Sequence, residues 1–276
     1  MTLANAFTPT SPLVLVGAGK MGGALLQGWL DRGLHRQAVT VIDPSPPADS
    51  VAFLAKVKVA TLAAPPHSVE ARVIVIAVKP QIIAKVLPGL RDLIGPDTIV
   101  LSIAAGTTLA NLDAGIGPAA IVRSIPNTPA QVGRGITAAI ANTRVDEAGK
   151  LLIAALLAAV GEVVWVKEEG QIDAVTAVSG SGPAYVFLFA ECLAEAAVAA
   201  GLDAETAAKL ARATVAGAGE LLHRSELAPA ELRKNVTSPH GTTAAALAIL
   251  MAEDGLAPLV RRAVAAAKKR SEELSG

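Results

Sequence analysis

Two kinds of apolar pattern divide the chain. In the first part, short aliphatic runs recur between longer mixed segments, at residues 13–16, 39–42, 73–78, 99–103 and 120–123. Each run is apolar throughout rather than alternating. That pattern belongs to strands covered on both faces, hence to a parallel sheet. Residues 57–60 make a weaker run. Residues 135–141 and 163–166 extend the sheet, with a helix over 146–160 between them. The segment 21–32 reads as a helix stopped by Gly33. Strands separated by helical segments give βαβ units. Beyond Lys167 the strand pattern stops. Residues 172–178, 183–201, 204–223, 229–235, 242–252 and 256–274 all read as helices, with Gly201 as a stop and Asp203 as an N-cap. The predicted fold class is α/β: a Rossmann-type, doubly wound, mostly parallel sheet over 13–167, followed by an all-helical domain over 168–276. Residues 1–12 are expected to be a flexible tail.

Composition narrows the function classes. With 276 residues, the length fits about two domains. A hydrophobic share of 52% against 17% charged excludes bulk disorder. The 24 basic and 24 acidic residues cancel, which removes the broad basic surface that nucleic-acid binding uses. One cysteine, Cys192, permits neither an intrachain disulfide nor a cysteine-based zinc site, and is expected to be a small buried hydrophobe. His35, His67, His223 and His240 are scattered, so no metal is expected. Residues 1–12 lack a secretory signal pattern, and the apolar stretch 151–166 is broken by Gly161 and Glu162. The expectation is a cytoplasmic protein with no membrane span. Aromatics are only 3%, so the helices are expected to pack closely through Ala and Leu, in part between copies of the chain.

The candidate chemistry starts at Gly17-Ala18-Gly19-Lys20-Met21-Gly22, a G-x-G-x-x-G turn between the first strand and first helix. Its glycines suit a tight turn, close backbone approach to a pyrophosphate, and close helix–strand packing. The phosphates would sit on N–H groups at the helix start. Asp43 ends the second strand, where an acid accepts hydrogen bonds from the ribose of NADH and repels the 2′-phosphate of NADPH. Ser45, in the turn Pro44-Ser45-Pro46, could instead hold that phosphate. Both cofactors remain open, with the charge of Asp43 favouring NADH.

Further motifs make the chain resemble the pyrroline-5-carboxylate reductases. They are Ala77-Val78-Lys79-Pro80-Gln81, Arg123-Ser124-Ile125-Pro126-Asn127-Thr128-Pro129, the stretch from Ala177 to Tyr185, and Asn235-Val236-Thr237-Ser238-Pro239-His240-Gly241-Thr242-Thr243. The resemblance spans about residues 13–274. It implies NADH- or NADPH-dependent reduction of a cyclic imine, 1-pyrroline-5-carboxylate, to L-proline. It also implies self-association through the helical half. Ala77, Val78, Lys79 and Pro80 would lie beside the cofactor, as would Ala104 and Ala105 in the small-residue stretch 102–106. Asn127 would bond the carboxamide or hold its own loop. The start of the helix after Ser238 would take the substrate carboxylate through Ser238, Gly241 and Thr242, and Thr243 would be catalytic, its hydroxyl orienting the ring nitrogen. Two departures stand out. His240 occupies a position that is usually glycine, and Ala64-Pro65-Pro66 replaces a polar contact to the nucleotide. The carboxylates Glu191 and Glu195, one turn apart, read as solvated or interface charges. Lys268-Lys269-Arg270 suits the negative end of the last helix. The competing readings are a β-hydroxyacid dehydrogenase or imine reductase relative and a non-catalytic dinucleotide sensor. The first lacks the expected lysine in 172–178, and the second would not keep the Ser-Pro-x-Gly-x-Thr element.

Overall fold

The computed structural model describes residues 3–66 and 69–275. The chain forms two units: one up to residue 180 together with the stretch from 268 onward, the other 181–267.

In the first unit the strands are β1 (Leu13–Val16), β2 (Val39–Ile42), β3 (Ala60–Leu62), β4 (Val73–Ile76), β5 (Ile99–Ser102), β6 (Ala120–Ile125), β7 (Gly135–Ala141) and β8 (Gly161–Trp165). They form one sheet in the order β3-β2-β1-β4-β5-β6-β7-β8. Helices α1 (Lys20–Asp31), α2 (Ala48–Val57), α3 (Pro80–Val86), α4 (Leu109–Ile116) and α5 (Glu147–Leu157) connect them. Every pairing is parallel except β6 with β7. The link between those two holds only the short 3-10 helix Thr128–Val132, which is too little for a crossover, so the chain turns back. The sheet reverses direction beside β1: β2 lies on one side, β4 on the other.

The continuous apolar runs hide a period of two. Leu13, Leu15, Val73 and Val75 enter one core layer with Trp29, Leu152 and Leu156. Val14, Val16, Ile74 and Ile76 enter the opposite layer with Leu87, Leu90 and Leu112. Both faces are covered, so both registers must be apolar. The Trp29 indole N–H, fully buried, donates to the Leu156 carbonyl at 2.8 Å.

Several expectations change. Residues 3–12 are not a loose tail, because Leu3, in the short 3-10 turn Leu3–Asn5, and Phe7, just after it, are buried in the Trp29 layer; Met1 and Thr2 lie outside the described residues. Residues 57–60 are not a strand. Val57 closes α2, Lys58 takes a left-handed backbone (φ 55) as its cap, and the strand follows at Ala60. Pro80 does not merely end a strand but opens α3. The first unit runs past the expected boundary at Lys167, because α6 (Gln171–Val175) buries Ile172 against Ile125, Ala138 and Ile140. A π-helical turn, Thr176–Gly180, follows it.

The second unit holds α7 (Gly182–Ala199), α8 (Ala204–Arg224), α9 (Pro229–Asn235), α10 (Thr242–Leu250) and the first part of α11 (Leu256–Ser275). Asp203 caps α8 by accepting from the Thr206 N–H at 2.9 Å, and that bond is the main cause holding its carboxyl below the usual value. Its buried residues, among those described, are Ala207 and Ala211. Phe187, Phe189, Leu210, Ile249 and Leu259 are exposed, as is Cys192, against the expectation of burial. The helical run Gln171–Ala199 is long and apolar enough, by length and composition, to cross a membrane, which the sequence reading did not anticipate.

Candidate active site

The carboxyl ends of β1, β2, β4 and β5 are neighbours in the sheet, and they carry the expected cofactor residues. The three glycines of the first turn have different tasks. Gly17 adopts φ 97, and a Cβ there would stand 2.8 Å from the Ala77 carbonyl oxygen. A Cβ on Gly22 would collide with the Gly17 carbonyl oxygen. Both are required by the fold. Around Gly19, by contrast, a Cβ would meet nothing within 4 Å, and Gly19 is the N-cap of α1 with no side chain capping it. The first-turn N–H groups of α1, at Lys20 and Met21, have no carbonyl of their own helix to bond and no side chain capping them, so they suit a phosphate group.

Asp43 is placed at the end of β2 as expected, but its oxygens are engaged. One accepts from the Ala18 N–H at 2.8 Å and the other from the Ser45 N–H at 2.9 Å. The Ala18 N–H, in a buried residue, is thus taken by the protein rather than left for a ligand. The carboxylate clamps the glycine turn to the β2–α2 turn. The Ser45 residue is exposed, and no cation stands in Pro44–Pro47. Ala77 donates to Val16 O at 2.8 Å, fixing β4 to β1 at their ends, and Lys79 is exposed at the N-cap of α3. Val78 packs against the second core layer. After β5, Ala104 is buried and Ala105 exposed. Asn127 is buried with both ends of its amide bonded: it accepts from the Ile136 N–H at 2.9 Å and donates to Ser179 O at 3.1 Å. Of the two roles open to it in the sequence, holding its loop is the one these bonds describe.

In the second unit, Ser238, Gly241, Thr242 and Thr243 come together at the start of α10. Gly241 is the N-cap, extended (φ −82, ψ 173), and no side chain caps the helix. The Gly241 N–H donates to Ser238 O at 3.1 Å, which closes a tight turn. Among the described residues, the hydroxyls of Ser238, Thr242 and Thr243 have no partner within the chain, so they are not consumed by capping. His240 takes φ 59, a left-handed backbone in the middle of that turn. Histidine accepts this region better than most non-glycine residues.

The sequence reading missed Glu169. Its Oε1 accepts from Arg123 at 2.7 Å and from the Leu109 N–H at 2.8 Å. The available signal was Arg123 itself, a charge inside an apolar strand that needs a partner when buried.

Comparison with known proteins agrees with this layout. Residues 169–274 match the family profile described as pyrroline-5-carboxylate reductase dimerisation, and residues 12–106 the one described as NADP oxidoreductase coenzyme F420-dependent. A pyrroline-5-carboxylate reductase from Pseudomonas aeruginosa is 40% identical over 269 residues, covering 96% of this chain and 97% of the relative. One from Synechocystis is 46% identical over 203 residues, 73% of this chain and 74% of the relative. Among solved structures, a pyrroline-5-carboxylate reductase from Coxiella burnetii superposes with a TM-score of 0.88 at 37% identity, covering 97% and 99% of the two chains. The Plasmodium falciparum pyrroline carboxylate reductase, solved with NADP bound, gives 0.79 at 28% identity over 98% and 100%. At 40% identity over nearly its full length with one of these enzymes, the chain belongs to the pyrroline-5-carboxylate reductase family.

Proposed function

We propose that the protein reduces 1-pyrroline-5-carboxylate to L-proline, using NADPH or NADH, as a self-associated enzyme of the cytoplasm. What carries this reading is that a chain of this family presents an uncapped helix start in each unit: α1 with the open glycine turn in the first, and α10 with its free hydroxyls in the second. The cofactor supplies a hydride to the imine carbon. The residues that would hold it are Gly19, Lys20 and Met21 at its phosphates, Ser45 at the adenosine ribose, and Ala77, Lys79, Ala104 and Ala105 toward the nicotinamide. Asp43 and Asn127 support this site by fixing its loops.

The substrate carries one formal anion, its carboxylate. The N–H groups at the start of α10, with Ser238 and Thr242, complement that charge without placing a cation beside the imine nitrogen. This matters because the protonated imine is the better electrophile, and a fixed cation would oppose its protonation. The Thr243 hydroxyl can donate or accept, so it orients the ring nitrogen before and after the nitrogen gains its proton. The remaining catalysis is positioning of the imine carbon against the hydride donor.

The apolar helices of the second unit, including α7 (Gly182–Ala199), are covered by a second copy of the chain rather than by lipid. The groove of about 750 Å³ bordered by Ala244, Leu247 and Met251 belongs to the same uncovered surface. The test is direct. The purified chain should oxidise NADPH or NADH in the presence of pyrroline-5-carboxylate and show no turnover of 2-hydroxyacids with the oxidised cofactor. Turnover of a hydroxyacid alone would replace this reading with the dehydrogenase one.

A further inference from the structure

The loop between β5 and α4 carries Ala104 and Ala105, and part of its shape is held locally: the Ser102 hydroxyl accepts from the Ala104 N–H at 3.3 Å, and Thr108 caps α4 by accepting from the Asn111 N–H at 3.1 Å. Gly106 sits in its middle with a left-handed backbone (φ 71). The loop is also fixed from outside, by parts of the chain far away in sequence. At its far end the Leu109 N–H donates to Glu169 at 2.8 Å, and the same carboxylate oxygen accepts from the buried Arg123 at 2.7 Å. In its middle the carbonyl of Leu274, in the last turn of α11, lies over Gly106: a Cβ added there would stand 3.3 Å from that oxygen. That last turn is itself anchored, because the Ser271 hydroxyl donates to the buried Asp173 of α6 at 2.7 Å, a contact between residues 98 apart.

We propose that Ser271 and Asp173 are positioning residues for the reduction: they seat the end of α11 on the β5–α4 loop and so hold the loop that receives the nicotinamide. This rests on the placement of the cofactor beside Ala104 and Ala105. Neither residue touches the reacting atoms. Asp173 fixes one partner of the loop, and Glu169, two residues before α6, fixes the other. The approach to α6 is therefore the common support for both, and the end of α11 belongs to the cofactor-binding unit.

The test uses the full chain with three variants. Ser271→Ala should raise KM for the nicotinamide cofactor about tenfold, the loss of one hydrogen bond to a charged acceptor. It should leave kcat at saturating cofactor, KM for the imine and the assembled mass unchanged. Ser271→Thr, which keeps the hydroxyl, should restore the wild-type value. Gly106→Ala, which strains the loop directly, should raise the same KM. Cofactor KM unchanged in Ser271→Ala but raised in Gly106→Ala overturns the proposal while leaving the cofactor at this loop. No change in either variant overturns both. A loss in Ser271→Ala that Ser271→Thr does not restore also overturns the proposal, since the hydroxyl is then not what holds the loop.

Discussion

The two units answer the same problem, the burial of aliphatic side chains, in opposite ways. In the first, two layers close over the centre of the sheet, and residues such as Leu13, Leu15, Ile74 and Ile76 are fully buried within one chain. In the second, helices of comparable apolar content leave Phe187, Phe189, Leu221, Ile249 and Leu259 exposed, and only the small Ala207 and Ala211 are buried among the described residues. Exposed apolar surface of that extent marks an interface. The first unit is folded on itself and the second is folded against a partner, so damage to each should register in a different measurement.

The strongest test places a charge in the helical surface. Phe187→Asp should dissociate the assembly, since an unpaired charge buried at an interface costs about 3–5 kcal/mol. Activity should fall by about 100-fold or more, while the first unit still binds cofactor in a fluorescence titration. An active assembly of unchanged mass in light scattering would show that this face of α7 is not covered by the partner. The first unit offers the converse experiment. Gly19→Val should melt like the wild type, because nothing lies near the new side chain, yet lose cofactor affinity by about 100-fold, because the side chain fills the phosphate space. Gly22→Val should instead lower the melting temperature sharply, because its Cβ meets the Gly17 carbonyl. Equal behaviour of the two variants would dissolve the distinction between a binding glycine and a folding glycine.

Within the sites the expected effects are smaller. Thr243→Ala removes one hydroxyl from the imine and leaves the N–H groups of α10 in place. It should lower kcat/KM by about 10–100-fold, roughly 1–3 kcal/mol, mainly through kcat, with binding of a proline-like inhibitor retained. Asp43→Asn keeps one acceptor and loses the other. It should raise KM for NADH and NADPH together, about tenfold each, with the ratio unchanged. A gain for NADPH alone would mean that the carboxylate reads the ribose, as its position in the sequence first suggests.

Legibility in the sequence followed the same division. Strands β1 and β2 stand at their expected residues because continuous aliphatic runs leave little choice of partner, and the Ala- and Ile-rich β7 stands at its expected residues too. The reversal of β7 against β6 has no trace in strand composition and is written only in the shortness of the link between them, too short for a crossover. The glycine turn and the α10 start were readable as motifs, since backbone-mediated anion binding leaves a glycine pattern. The tasks of Asp43 and Asn127 were not. Each is decided by partners far along the chain, Ala18 for one and Ile136 and Ser179 for the other, and spacing carries no trace of them. The exposure of the second unit was half legible. Its helices announce apolar faces, but whether these meet each other or another copy is settled only by three-dimensional packing.

The smallest expected effect concerns His240, in the α10 turn of the second unit. Its left-handed backbone (φ 59) costs a non-glycine residue about 1–2 kcal/mol, somewhat less for histidine. Glycine would remove that strain but enlarge the freedom of the unfolded chain, which costs about 0.5–1 kcal/mol. The two terms nearly cancel, so His240→Gly should shift the melting temperature upward by no more than about 2–4 °C. The chemistry decides more than the stability does. If the imine gains its proton from water and Thr243 only orients the ring, the imidazole is dispensable, and kcat and its pH profile should stay within about twofold of the wild type. A fall of kcat tenfold or more, with the imine KM unchanged, would instead make His240 a proton donor. The departure from glycine would then be a gain of function at the turn rather than a tolerated strain.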